Sequence, residues 1–241
     1  MAEVRKAMIL AAGLGSRLKP WTDFHPKALA RVNGKSLLQR NIEYLQCFGF
    51  KHVIVNVHHF AEQIISEIDR NQGWGSQITI SDERAEVLET GGGLKKAAGF
   101  FDAGPFVLMN VDILTILDLN QMMAEHLLHK PLATLATRQR ETSRYFRFDN
   151  KGTLCGWINV KTGEQKEARA AAATHNSAFS GIHIIEPTLL SLISQKGKFS
   201  MVDVYLDLAC DYEIREFDHS GGTFIDVGRP ESVESAERSF L

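Results

Sequence analysis

Ala7-Met-Ile-Leu-Ala-Ala-Gly-Leu-Gly-Ser-Arg-Leu-Lys-Pro-Trp-Thr-Asp-Phe-His-Pro-Lys27 passes from an unbroken apolar run into a loop of glycines, prolines and cations. The apolar run over 7–11 reads as a strand buried on both faces. Gly13 and Gly15 remove the Cβ atoms that would block close approach of the backbone, so successive N–H groups can face anionic oxygens. Arg17 and Lys27 add two full positive charges. The stretch reads as an anion cradle at the end of a buried strand, and a polyphosphate is the ligand its chemistry fits.

Outward from this loop, apolar strands alternate with amphipathic helices. Ser36 and Gln39 form a capping box that opens a helix with Leu37, Leu38, Ile42 and Leu45 on one face, and Gly49 closes it. A β-branched strand over 52–57, a helix over 61–69, a strand over 77–81 and a glycine-rich opening to a helix over 88–97 follow. Phe106-Val-Leu-Met109 is the most apolar strand, and it runs straight into Asn110-Val-Asp112. A helix over 119–128 and a strand over 132–137 continue an α/β rhythm, which predicts a mostly parallel sheet covered by helices on both faces. Ligands of such sheets sit beyond the carboxyl ends of the strands, where the Gly13–Lys27 loop and Asp112 both lie.

After about residue 138 the rhythm changes. Strands over 144–148 and 153–158, joined by Asp149-Asn-Lys-Gly152, predict an antiparallel hairpin. The Ala-rich segment 161–174 reads as a loop with no assignable element. A strand over 180–185, a helix begun at Pro187, a helix over 202–210, strands over 213–217 and 223–227 and a last helix from Pro230 complete a chain that reads as one domain without internal repeats.

Charge and cysteine content exclude several classes. The 27 basic and 29 acidic residues give a formal charge of −2, so no overall basic field draws the chain to nucleic acid. Three widely spaced cysteines, Cys47, Cys155 and Cys210, suit reduced thiols of a cytoplasmic protein better than a disulfide framework. No apolar run is long enough for a membrane span, and residues 1–6 lack a signal-peptide pattern. His58-His59 reads as a turn, since adjacent side chains on an extended segment point to opposite faces. Arg138, Arg140, Arg144 and Arg147 read as a solvated face, with contact to substrate phosphate or sugar as the functional alternative.

Spacing decides which glycine motif the opening loop is. A dinucleotide fingerprint requires a third glycine where this chain has Leu18, and a P-loop ending in Gly34-Lys35-Ser36 requires a glycine where it has Leu29. The pattern present is Gly13-x-Gly15-x-Arg17 with Pro20, Thr22, Pro26 and Lys27. That pattern resembles the signature of the sugar-1-phosphate nucleotidyltransferases. Leu88-Glu-Thr-Gly91 is similar to the family's nucleobase loop, Asn110-Val-Asp112 to its first metal aspartate and Phe224-Ile-Asp-Val-Gly228 to its second.

The resemblance implies a Rossmann-like three-layer α/β/α fold of the GT-A-like kind, with a mixed, mostly parallel sheet and a small antiparallel hairpin insertion. It implies a reaction in which a nucleoside triphosphate and a sugar 1-phosphate give a nucleotide sugar and pyrophosphate. Arg17, Lys27 and Asp112 are then the catalytic residues. Ala11, Ala12, Gly13, Gly15, Ser16, Glu89, Thr90 and Gly91 hold the nucleotide, Asn110, Asn176, Ser177 and Gly181 the sugar, and Asp112 and Asp226 hold Mg²⁺. Short length and the Leu88-Glu-Thr-Gly-Gly-Gly93 loop are most similar to the uridylyltransferases of N-acetylmuramate 1-phosphate. Mannose-1-phosphate guanylyltransferases and a silent nucleotide-sugar-binding regulator are the alternatives. Ala28 stands where the family usually has Pro, and Val111 where it often has Gly. A monomer or small homo-oligomer, with neither nucleic acid nor membrane as partner, completes the expectation.

Overall fold

A computed structural model describes residues 5–102 and 104–240; residues 1–4, part of the segment expected to lack a signal peptide, lie outside the described residues. Strand β1 (Lys6–Leu10) leads through three short 3₁₀ turns to a ribbon of β2 (Arg31–Val32) and β3 (Lys35–Ser36). Helix α1 (Leu37–Cys47) starts where Ser36 Oγ accepts the Gln39 N–H at 3.1 Å. Only half of the expected capping box forms, because the Gln39 side chain turns to Glu43. β4 (His52–Val57), α2 (Ala61–Arg70), β5 (Gln77–Asp82), α3 (Glu89–Lys96) and β6 (Phe106–Asn110) follow. Then come β7 (Ile113–Thr115), α4 (Leu119–His129), β8 (Ala133–Arg138), β9 (Arg144–Phe148) and β10 (Leu154–Asn159). The chain ends through β11 (Gln165–Glu167), β12 (His175–Ile185), α5 (Thr188–Leu192), α6 (Met201–Leu208), β13 (Ile214–Asp218), β14 (Phe224–Asp226) and α7 (Pro230–Ser239).

Strands β6, β1, β4 and β5 lie side by side and parallel, with Ile9 opposite Met109 on one side and Val55 on the other. β12 adds antiparallel to β6, β8 pairs with the far side of β12, and β13 runs parallel to β8. The hairpin of β9 and β10 joins through residues 175–177 of β12. The result is the mixed sheet that the family resemblance implies, with the parallel centre expected from the alternating pattern and the antiparallel hairpin expected from its turn residues.

Alternate residues of β1 enter different cores, as the two-residue period of a strand requires. Ala7 and Ile9 face a layer containing α1, α2, α4 and α7, with Leu38, Ile42, Ile64, Met122 and Ala236 buried there. Met8 and Leu10 face α3, α5 and α6 with Leu94, Leu189, Val204 and Tyr205. Covering both faces buries the backbone of β1 and leaves its carboxyl end as the place where the chain opens to ligand.

Three expectations are corrected by the packing. Segment 161–174 is not structureless, since β11 within it pairs antiparallel with β10 from Ile158 opposite Gln165 to Gly156 opposite Glu167. Its polar sequence hid the strand because all three residues are exposed at a sheet edge. β12 begins at His175 and not 180, its first residues held by the hairpin. Gly91, Gly92 and Gly93 lie inside α3 and are buried, so they permit close packing against Phe199 and neighbouring backbone and do not form a loop before the helix.

Candidate active site

A cleft of about 520 Å³ opens at the carboxyl ends of β1 and β6. The loop after β1 forms its rim because Gly15 adopts φ +63°, and a Cβ there would lie 2.9 Å from both Lys27 Cβ and Thr22 Cγ2. Thr22 Oγ1 donates to the Gly15 carbonyl at 3.0 Å, folding the loop back on itself. That fold brings Lys27 inward until it is 8% exposed, and its Nζ donates to Asp112 Oδ2. A cation and an anion eighty-five positions apart thus meet over the end of the sheet.

Asp226 reaches the same place by strand pairing. β14 runs antiparallel to β7 with Asp226 opposite Ile113, and the Val227 N–H donates to the Asp112 carbonyl at 2.8 Å. Gly228 is needed immediately afterwards, because a Cβ there would sit 2.7 Å from Asp226 Oδ1 and 2.9 Å from Arg17 Nη2. Arg17, Lys27, Asp112 and Asp226 therefore converge on one point. Burial raises the Asp226 carboxyl above the usual carboxylate range and the Asp112 charge adds to this, while Lys27, Arg17 and Arg140 oppose it. Asp226 Oδ1 is buried with no hydrogen-bond partner among the described residues. An orphaned carboxylate oxygen beside a second carboxylate fits a hard divalent cation whose remaining ligands come from phosphate or water.

The expected nucleotide residues divide into two groups. Ala11, Ala12, Gly13, Gly15, Ser16, Glu89 and Thr90 line the cleft, and Gly91 lies behind it with its N–H on the Phe199 carbonyl at 3.0 Å. The N–H groups of Ala11 and Ala12 are both taken by Asn56 Oδ1, at 2.6 and 3.2 Å, so they are not free for phosphate. Asn56 in turn donates to Glu83 Oε1 at 2.8 Å, and burial raises the Glu83 carboxyl. Sequence reading passed over this pair because Asn56 sits mid-strand in a run of valines, and only a polar residue in an otherwise apolar strand signals it.

The expected sugar residues lie along β6 and β12. Asn110 lines the cleft and Gly181 packs against its amide. Asn176 is exposed opposite Arg147 of β9, and Ser177 Oγ donates to Glu216 Oε2 at 2.9 Å, so neither borders the cleft. Phe179 and His183 line that wall instead, with Met201, Val202 and Tyr205 from α6. His183 Nδ1 lies 2.6 Å from the Tyr205 hydroxyl, and burial pushes the imidazole pKa down to about 3. The buried tyrosine has no other partner for its hydrogen among the described residues, so the satisfied arrangement is a tyrosine O–H donating to a neutral His183 whose proton is on Nε2.

His58 acts within a turn, with Nδ1 2.7 Å from the Glu83 carbonyl. A second hollow of about 490 Å³ between α4 and β13 gathers Asp118, Glu125, His129, Arg215 and Asp218 and contains none of the expected site residues.

Comparison with known proteins bears on this geometry. The nucleotidyl transferase family matches residues 6–240. The N-acetylmuramate alpha-1-phosphate uridylyltransferase of Caulobacter vibrioides is 29% identical over 96% of this chain and 95% of its own length. The mannose-1-phosphate guanyltransferase of Yarrowia lipolytica is 28% identical over 98% of this chain, which spans 64% of that protein. HddC from Yersinia pseudotuberculosis, solved in complex with GMP-PN, superposes with a TM-score of 0.79 at 24% identity, covering 99% of this chain and 100% of that one, and shows the shared fold.

Proposed function

The chain belongs to the nucleotidyl transferase family, and from that premise we propose that it joins UTP to N-acetylmuramate 1-phosphate, giving UDP-N-acetylmuramate and pyrophosphate. The observation that carries the reaction type is the Lys27–Asp112 pair set over the ends of β1 and β6 beside Asp226. The substrate pair is supported by the end-to-end similarity to the Caulobacter uridylyltransferase.

Strand order supports a division of the cleft into two halves. The loop after β1 holds the triphosphate, Asn56, Val87 and Glu89 on the β4 and β5 side border the nucleoside, and Phe179, His183 and Met201 on the β6 and β12 side border the sugar. A phosphate oxygen of the sugar 1-phosphate attacks the α-phosphorus in line. The bond from that phosphorus to the bridging oxygen breaks, and pyrophosphate leaves with the electron pair. No covalent adduct with the protein is required, so the barrier is set by bringing two polyanions together.

Lys27 moves its ammonium from Asp112 onto the oxygens between the two reacting phosphates. Arg17 grips the departing pyrophosphate, for which its planar fork supplies two parallel donors. The N–H groups of the Gly13–Ser16 turn take the remaining phosphate oxygens. Asp112 and Asp226 would hold Mg²⁺, which when bound neutralises phosphate charge. The whole reaction takes place in one domain, in the cytoplasm, within the recycling of peptidoglycan sugars.

Pyrophosphate release measured for UTP, GTP, CTP, ATP and dTTP against a panel of sugar 1-phosphates tests the proposal. UTP with N-acetylmuramate 1-phosphate is expected to give the highest kcat/KM. GTP with mannose 1-phosphate as the best pair would replace it with the guanylyltransferase reading, and release with no pair would favour a silent regulator.

A further inference from the structure

Arg138 ends β8 and Arg140 lies two residues beyond it. Their guanidinium carbons stand 5.0 and 5.6 Å from the centre of the Phe224 ring. Arg147 of the same segment has its counter-ion in Glu167, but Arg138 and Arg140 form no ion pair among the described residues. Their hydrogen bonds go to carbonyls only. Arg138 reaches Gly222 and Ser220 at 3.3 and 3.4 Å, and Arg140 Nη2 reaches Phe179 at 3.2 Å. The Nε of each is buried with no hydrogen-bond partner among the described residues.

Two adjacent, partly buried cations with unspent donors are unfavourable unless an anion joins them. Arg138 opposes the charge on Arg140, and burial does so more strongly. The nearby carboxylate, Asp226, is close enough to act on Arg140 through space but not to pair with it. Arg140 is tied to the carbonyl of Phe179, whose side chain lines the sugar wall of the cleft. Arg140 therefore stands near Asp226 and behind Phe179, next to the lining of the cleft and not part of it.

We propose that Arg138 and Arg140 form a recognition site for a carboxylate carried by the acceptor sugar. The site rests on the reaction proposed above and sharpens it, since it selects acidic sugar 1-phosphates over neutral ones. A guanidinium fork matches a carboxylate in two parallel hydrogen bonds, and two forks stacked on one ring hold it in a fixed direction.

The test compares N-acetylmuramate 1-phosphate with N-acetylglucosamine 1-phosphate, which lacks the lactyl carboxylate, using the wild-type protein, Arg140→Ala and Arg140→Met. Arg140→Met keeps a long side chain on Phe224, so it separates lost charge from lost packing. Wild type is expected to favour the acidic acceptor, and Arg140→Ala to raise its KM about 10- to 100-fold. The KM values for UTP and the neutral acceptor should stay as they are, and Arg140→Met should behave like Arg140→Ala. Equal losses on both acceptors, or an unchanged preference in both variants, would overturn the site. If the wild-type protein turns over neither acceptor, the substrate reading fails alone. Calorimetric binding of glucuronate 1-phosphate against glucose 1-phosphate then decides the arginines: tighter binding of the acidic sugar that Arg140→Met abolishes supports them, and equal binding overturns them.

Discussion

Lys27 is set among competing anions. In the structure it holds Asp112, and its neighbours Asp226 and Arg17 show that this is a balanced cluster of two positive and two negative groups. A triphosphate bound there, as proposed, would shift the balance, and a compact ammonium on a flexible stem is suited to following it. Asn56 carries a different duty. Its Oδ1 fixes the Ala11 and Ala12 N–H groups and its Nδ2 holds Glu83, so Asn56→Ala leaves three buried groups short of a partner. That variant is expected to lose roughly 1–3 kcal/mol in urea unfolding and to raise the KM for UTP, with the KM for the sugar 1-phosphate little changed. Together with His219 and His126, whose pKa values burial also lowers, His183 contributes to the acid limit. Its folded pKa of about 3 lies below that of an unfolded histidine, so the unfolded chain binds a proton in this window that the folded chain does not. Stability is therefore complete above pH ~6.5 and falls as pH drops from there towards 3, by about 2 kcal/mol between pH 7 and 5 for this residue alone. Urea unfolding at the two pH values measures it, and His183→Gln should make the slope shallower by that amount while His219 and His126 keep the remainder.

At the scale of elements, α4 offers a clean separation of stability from chemistry. Asp118 Oδ1 caps it by accepting the N–H groups of Asn120 and Gln121 at 2.8 and 3.2 Å. Asp118→Ala should cost about 1 kcal/mol and leave pyrophosphate release unchanged. Gly228 predicts the reverse. Gly228→Ala drives a methyl into Asp226 and Arg17, so turnover should collapse with only a small change in thermal midpoint. The elements that sequence periodicity located are β1, β4 and β6, whose apolar runs follow from burial on both faces, and α1 and α2, whose single apolar face packs on the sheet. β11 escaped because an exposed edge strand has no such pattern. The wall from β12 and α6 escaped for another reason: Phe179, His183 and Tyr205 are ordinary core residue types, and only their meeting at one cleft marks them. Asp112 and Asp226 were legible because each follows or ends a strand, whereas their approach to one another depends on β7 and β14 pairing.

Across the whole molecule, a net charge of −2 means that no long-range field gathers polyanionic substrates. Attraction has to be local, and the fold supplies it by bringing the loop after β1, the aspartate that follows β6 and the aspartate that ends β14 of the separate β7–β14 ribbon to a common point. Among the described residues no helix is long and apolar enough to cross a membrane. Two cores on opposite faces of one sheet hold this arrangement, so the charged cluster can be altered without removing the packing beneath it. The most direct measurement is steady-state pyrophosphate release by Lys27→Ala beside the wild-type protein, with UTP and N-acetylmuramate 1-phosphate, after circular dichroism has shown both to be folded. A fall in kcat of about 10²- to 10³-fold is the predicted result. Near-normal turnover by the folded variant would contradict the assignment of the site.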